Sequence, residues 1–543
     1  MELIMSMVHH NPGEAPFKTA FNNPAKLKEY GYNTQIFKHL NAAITFDHFD
    51  ERIFPCGSKE RIWVDNFSNM LKKEMLLAKN EGLQVMHHLD LFVLPKKILE
   101  LYQTEICDEN GRISIARDMT LKIHRAMFDE MFERYPEIDG IIIRVGETYL
   151  HDTPYHTGNG AIKYGHKENE IKEFMKLLQF LREEICIRHN KKLVFRTWDC
   201  FPDRFHADLS YYIAVTDGII PHENLIFSIK HTALDFWRRV KFNDCLAKGK
   251  HKQVIEVQCQ REYEGKGAYP SYVMDGVINS FEEYETKKGI RDVADDPRIC
   301  GVYVWPRGGG WYGPYPKNEF WSDINTYVIG KYAANITRTE EGIFFEYVKN
   351  RIGLTGKDAG IFRKVCCVSQ TAILKGRYIE QYDKRFQGAI MPCANWMRDD
   401  RIGGLRQLKN VLEMLKSEGT IELALKEKSE AVELWRKIYD YCISIHWNGS
   451  EYEEFICTSA DYGVRLFELV YAAWVVMVKW VKKETENLGK DICVYYQKLN
   501  HYQQIVEQPQ SSTLYETQYW HEPGIGETIA DIEKSLAGKT KMI

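Results

Sequence analysis

The stretch Asp139-Gly140-Ile141-Ile142-Ile143-Arg144-Val145-Gly146-Glu147 decides the fold. A strand with one wet face alternates apolar and polar residues, and this run does not. It reads as a strand buried on both faces, which is the signature of a parallel sheet. The run then stops at a carboxylate. Eight short, β-rich segments of this kind recur through the first 305 residues, at 3–8, 42–46, 83–89, 139–145, 192–197, 225–230, 253–259 and 300–305. Between them lie mostly helical stretches, such as 67–80 and 168–189, with apolar residues at three- and four-residue spacing. Eight such strands alternating with helices make an α/β fold of the (β/α)8 TIM-barrel type, and about 300 residues suits that barrel with insertions. An open doubly wound sheet is the structural alternative, and it lacks the Gly-x-Gly-x-x-Gly turn after strand one.

At 543 residues the chain is too long for one compact core, so more than one domain is expected. The barrel takes 1–335. From 336 to 508 helical periodicity dominates, over 339–353, 358–386, 403–447 and 453–504, with Thr339 as an N-cap. This is a C-terminal all-helical domain, followed by an extension over 509–543. The formal net charge of −4 offers no electrostatic case for nucleic acid or an anionic membrane. The longest apolar stretch, 466–480, contains Glu468 and Lys479 and is too short to span a bilayer. It is expected to be helix core or the face of a homodimer. Thirteen cysteines without a CxxC pair, and an N-terminus that reads as a strand rather than a signal peptide, indicate a cytoplasmic protein.

On a TIM barrel the active face lies just beyond the C-terminal strand ends. Three acids sit there: Glu147 after strand four, Asp235 after strand six, and Glu262 after strand seven. A partly desolvated Glu147 would stay protonated at neutral pH, as a general acid must. Asp235 and Glu262, neighbours around a barrel, can orient and deprotonate one water. Together they supply the acid and base of glycosidic cleavage. Arg196 ends strand five and Lys230 ends strand six. They either pair with the catalytic carboxylates or bind a substrate carboxylate, Arg196 as a bidentate clamp and Lys230 as a point charge. His10, Asp47 and His88, near the ends of strands one to three, read as sugar-hydroxyl contacts or core-lining groups. Trp198, Trp305 and Trp311 are candidate stacking rings, the last in a glycine-rich aromatic loop, 306–316, expected to act as a lid.

The run Lys230-His231-Thr232-Ala233-Leu234-Asp235-Phe236, with Glu262-Tyr263-Glu264-Gly265 after it, resembles family 67 α-glucuronidases. That family shows Lys-His-x-x-x-Asp-Phe and then Glu-Tyr-x-Gly at nearly this separation. Arg196 within Arg-Thr-Trp resembles its strand-five arginine, and Glu147 its general acid. The resemblance implies an inverting exo-enzyme that removes a terminal uronic acid from an oligosaccharide, without a metal or organic cofactor, and a homodimer through the helical domain. It assigns Glu147 as acid, Asp235 and Glu262 as the water-activating pair, and Arg196 and Lys230 to the uronate carboxylate. The chain departs from the family in lacking its N-terminal β-rich domain and in the loop 148–165. A family lysine falls at Ile143, leaving Arg144 as the nearest cation, one position displaced.

Three other readings compete. A retaining glycosidase would use Glu147 and Glu262, leaving Asp235 structural. A metal-dependent barrel hydrolase would draw on His9-His10, Asp47-His48 and His87-His88, but adjacent histidines point to opposite faces of a strand. A non-catalytic carbohydrate-binding barrel would be expected to lack one of the three acids, and all are present.

Overall fold

The computed structural model describes residues 1–9, 19–150, 152–159, 167–201, 203–261, 263–309, 316–385, 396–398, 401–515 and 524–540. Eight strands form a closed barrel: β1 (Leu3–Ser6), β2 (Thr34–Lys38), β3 (Gln84–Asp90), β4 (Gly140–Arg144), β5 (Lys192–Arg196), β6 (Leu225–Lys230), β7 (Lys252–Gln258) and β8 (Ile299–Trp305). Every neighbouring pair is parallel, and β8 closes onto β1 through Leu3 opposite Gly301 and Met5 opposite Tyr303. The pleat sorts the side chains. Met5, Met7, Ile36, Met86, Ile142, Val194, Ile226, Val254 and Tyr303 pack together inside the barrel, apart from the larger cluster beneath the helices. Residues an even number of positions further along each strand therefore point inward at its C-terminal end.

The second strand is not where the sequence places it. The segment 42–46 is a buried loop, entered by a 3-10 turn at Leu40–Ala43, and the strand precedes it. The cause is Glu130, a buried carboxylate on the helix Asp118–Arg134. Thr45 donates both its N–H and its hydroxyl to Glu130 Oε1 at 2.7 Å, and the Phe46 N–H donates to Oε2 at 2.6 Å. Amides that a strand would commit to its ladder are committed here to a carboxylate, so hydrophobicity alone misleads. The true strand, Thr34-Gln35-Ile36-Phe37-Lys38, is less apolar because it ends in a cation.

The helical region begins with Glu340–Tyr347, where the Gly342 N–H donates to the Thr339 hydroxyl. It continues through Gly356–Arg377, Leu405–Ser417, Ile421–Ser444, Glu453–Lys482 and Leu488–Val506. The two longest helices expected from the sequence are each broken. Gly419 at φ 70° interrupts one, and Lys483 and Asn487 at φ 66° and 58° interrupt the other. The extension carries a further helix, Ile525–Thr540, which docks on the helical region through Ile525 N–H to Ile402 O and Leu405 N–H to Thr528 Oγ1, each 3.0 Å. The barrel and helical region share one hydrophobic cluster; Trp321 stacks on Phe362 and donates its indole N–H to Ser459. Among the described residues no helix is long and apolar enough to cross a membrane, and the twelve described cysteines are all free.

Replacing Glu130 by Ala should destabilise the fold by about 3 kcal/mol, because it strands buried donors and the partly buried Arg134. Chemical denaturation of the variant checks this. Amide exchange should accelerate first at Thr45 and Phe46.

Candidate active site

The inward-facing residues at the C-terminal strand ends are mostly charged, and they pair across strands. Arg144 on β4 donates twice to Asp90 on β3, Nε to Oδ1 at 2.6 Å and Nη2 to Oδ2 at 2.8 Å. Both side chains are 2% exposed. Burial alone would push the Asp90 carboxyl up, but Arg144 outweighs it and holds the group below the usual carboxylate range. Arg196 on β5 makes the corresponding fork with Glu256 on β7, which also accepts from the Ser228 hydroxyl at 3.1 Å. Its Nη1 donates to His88 Nε2 at 3.3 Å. Burial first, then Arg144 and Arg196, push His88 well below the ordinary histidine range, so its ring is a neutral acceptor. Lys230 on β6 meets Asp235 Oδ1 at 2.6 Å, and the Phe236 N–H donates to the same oxygen.

These contacts settle where the two expected carboxylate-binding cations are. Arg196 is 1% exposed and its fork is filled by Glu256; Lys230 is 3% exposed and held by Asp235. Both take the pairing that burial demands, and neither presents a vacant clamp. Arg144 faces inward, in line with Ile142, so the position displaced from the family lysine is the one that points into the barrel.

Glu147 stands beyond β4, one residue after Gly146. A Cβ at Gly146 would lie 2.1 Å from the Trp198 carbonyl oxygen, so only glycine lets the β4 and β5 loops touch. That contact sets Trp198 to donate its indole N–H to Glu147 Oε2 at 3.1 Å, with Arg144 Nη1 at 3.7 Å from the same oxygen. The Glu147 side chain is 36% exposed, so it opens to solvent and is not the desolvated group the sequence suggests. The Lys230 ammonium lies 3.4 Å from the centre of the Trp198 ring. Glu147 and Asp235 are therefore linked through one indole and one ammonium at the same end of the barrel. Tyr263 adds its hydroxyl to Asp235 Oδ2 at 3.4 Å. Glu262, His10 and Trp311 lie outside the described residues.

Trp198 and Trp305 are buried rather than open platforms. Trp305 stacks on His9 at 5.0 Å, with Arg196 5.1 Å from its ring. Its indole N–H has no acceptor among the described residues. Asp47, expected at the end of strand two, follows the loop instead and pairs with Arg61 at 2.8 Å. The sequence reading missed Lys38, at the true end of β2, and Glu256, whose even spacing from Val254 and Gln258 marked it as inward. Asp90 shared a strand end and parity with His88. The Asp199 carboxyl, just after Trp198, is pushed by burial up to about 7 against the N–H groups of Phe201, Phe205 and His206. Cys200, beside Glu147, Lys230 and Asp235, has its thiol pushed by burial up to about 12.

No family model matches the chain, and no curated protein matches it. Similar solved structures include a GH138 enzyme targeting pectin rhamnogalacturonan II, at 13% identity and a TM-score of 0.53. That alignment covers 98% of this chain and 66% of the other, so this chain spans just under two thirds of that enzyme. CpGH84B aligns at 11% identity and a TM-score of 0.41, covering 94% and 76% of the two chains. A mutant of Thermobaculum terrenum O-GlcNAc hydrolase aligns at 10% identity and 0.35, covering 98% and 94%. At 13% identity the likeness to the GH138 enzyme is one of fold. With the closed barrel and its charged C-terminal mouth, it defines the class as a TIM-barrel protein.

Asp90→Asn should cost about 3–5 kcal/mol, because it removes the fork and leaves the buried Arg144 guanidinium only the longer contact to the partly exposed Glu147. Adding Arg144→Met should recover part of that, measured as a coupling energy in a double-mutant cycle. Asp199 predicts a pH effect of opposite sign to the usual carboxylate. An unfolded Asp titrates near ~3.9, so the native state holds the extra proton between that value and about 7. Its contribution is largest below the unfolded value and is lost as pH rises through 7. Asp199→Asn should flatten that slope in a stability–pH profile.

Proposed function

We propose that this chain is a glycoside hydrolase, specifically an α-glucuronidase-like exo-enzyme that removes a terminal uronic acid from an oligosaccharide by inversion. The observation that carries the reading is the pairing of Glu147 and Asp235 across Trp198 and Lys230, at the end of a TIM barrel where catalytic groups gather. The likeness in fold to a GH138 enzyme targeting pectin rhamnogalacturonan II supports a carbohydrate substrate. So do the sequence motifs around Lys230 and Asp235.

The chemistry follows from the two environments. Glu147, oriented by the Trp198 N–H, takes the acid role that the resemblance assigns it: a bound sugar that covers its exposed carboxyl would favour the protonated form, which passes its proton to the glycosidic oxygen as the bond to the anomeric carbon breaks. Asp235, which accepts from Lys230 at 2.6 Å, takes a proton from the attacking water, with Glu262 as the second carboxylate of the base side. The water oxygen bonds to the anomeric carbon from the opposite face. Arg196 and Lys230 act by fixing Glu256 and Asp235. The retaining alternative, with Glu262 as nucleophile, predicts the opposite anomer.

Aryl glucuronosides and galacturonosides, together with aldouronic oligosaccharides, should be cleaved, and proton NMR of the first product should show inverted configuration. Glu147→Gln and Asp235→Asn should each lower kcat on the order of 10²- to 10⁴-fold. Unchanged rates in both variants, or cleavage of no glycoside tested, would refute the assignment.

A further inference from the structure

Among the described strand ends, four cations stand at inward positions of the barrel mouth, and three are matched by carboxylates: Arg144 by Asp90, Arg196 by Glu256 and Lys230 by Asp235. Lys38, the last residue of β2, is the fourth. It follows Ile36 at inward parity and pairs in register with His88 of β3. Its ammonium has no hydrogen-bond or ion-pair partner among the described residues, and the residue as a whole is neither fully buried nor exposed. In an eight-stranded barrel β2 stands opposite β6, which places Lys38 across the mouth from the Lys230–Asp235 pair. An unmatched cation at the edge of a buried charge array costs stability, and a ligand that brings an anion removes the cost.

We propose that Lys38 is the residue that binds the carboxylate of an acidic sugar. This deepens the reading of the site as a glycosidase for uronic acids, and it moves the carboxylate contact from Arg196 and Lys230 to the opposite side of the mouth. A sugar ring anchored by its carboxylate at Lys38 then extends toward Glu147 and Asp235. The titratable and charged groups around Lys38 are the neutral rings of His39 beside it and His88 on β3, Asp90 on β3, Arg144 on β4, Asp152 in the following loop, and Arg196 on β5. Burial, and then Arg144, push the amine down to about 8, with Asp90 and Asp152 opposing. The charge is present below that pH and lost above it.

The test is isothermal titration calorimetry with D-glucuronate and D-galacturonate against D-glucose and D-galactose, on the full chain. The wild type should bind the acidic sugar of at least one pair more tightly than its neutral partner. Lys38→Met should weaken uronate binding about 10- to 100-fold and leave the neutral sugar unchanged, the loss expected for one charge-assisted contact. Its melting temperature should rise, since an unmatched cation has gone. Lys38→Arg should keep the preference for the acid, and keep it as pH is raised from 7 to 10, while the wild type loses it. Lys38→Met retaining the preference, or a wild type with none, overturns the proposal. So does a Lys38→Arg variant that loses the preference with the wild type as pH rises. Hydrolysis is not part of this readout. A protein that binds uronates through Lys38 but cleaves nothing would defeat the enzymatic reading alone.

Discussion

Two arginines inside a closed barrel impose the constraint on which the rest depends. Arg144 and Arg196 lie at the C-terminal end of a core built from Met, Ile, Val and Tyr, where an unpaired guanidinium would be prohibitively costly. Each is answered by a carboxylate from a different strand: Asp90, the neighbouring strand's last residue, and Glu256, two strands away. The forked geometry fixes both partners' orientation as well as their charge. What stands above this layer is positioned by it. Tyr149 donates its N–H to Asp90 and lies over Arg144, Trp305 is packed by Arg196, and Glu147 takes Arg144's remaining face.

The helical region also reaches the mouth. After β7 the chain passes through Arg261 and Tyr263, both at positive φ, and is fastened by Glu264. That carboxylate accepts from Arg261 twice, from the Arg238 N–H and from the hydroxyl of Tyr378, each at 3.0 Å. Tyr378 caps the helix Gly356–Arg377, so the loop beside Asp235 is held partly from outside the barrel. Arg238 continues the seam by donating to the Gln370 carbonyl.

The barrel was legible because seven of its eight strands announce themselves as apolar runs, and burial on both faces leaves no other reading. The eighth was hidden by its own chemistry. Thr34-Gln35-Ile36-Phe37-Lys38 is polar at alternate positions, while the more hydrophobic 42–46 is satisfied by Glu130, a partner some eighty residues away that no local pattern reveals. That single displacement carried Lys38 out of view and put Asp47 in its place. The loop acids Glu147 and Asp235 stood out as candidates because each follows a strand. The partnerships were not: whether a cation meets a ligand or a neighbouring strand is decided by side-chain reach across the barrel. Spacing along the chain does not record it.

The cross-strand pairing also bears on how such a chain can diverge. Positions 90 and 144, and 196 and 256, each belong to two strands separated by at least one helix, yet each pair behaves as one electrostatic unit. A substitution at either member alone leaves a naked charge in the core. These positions should therefore drift in concert or stay fixed.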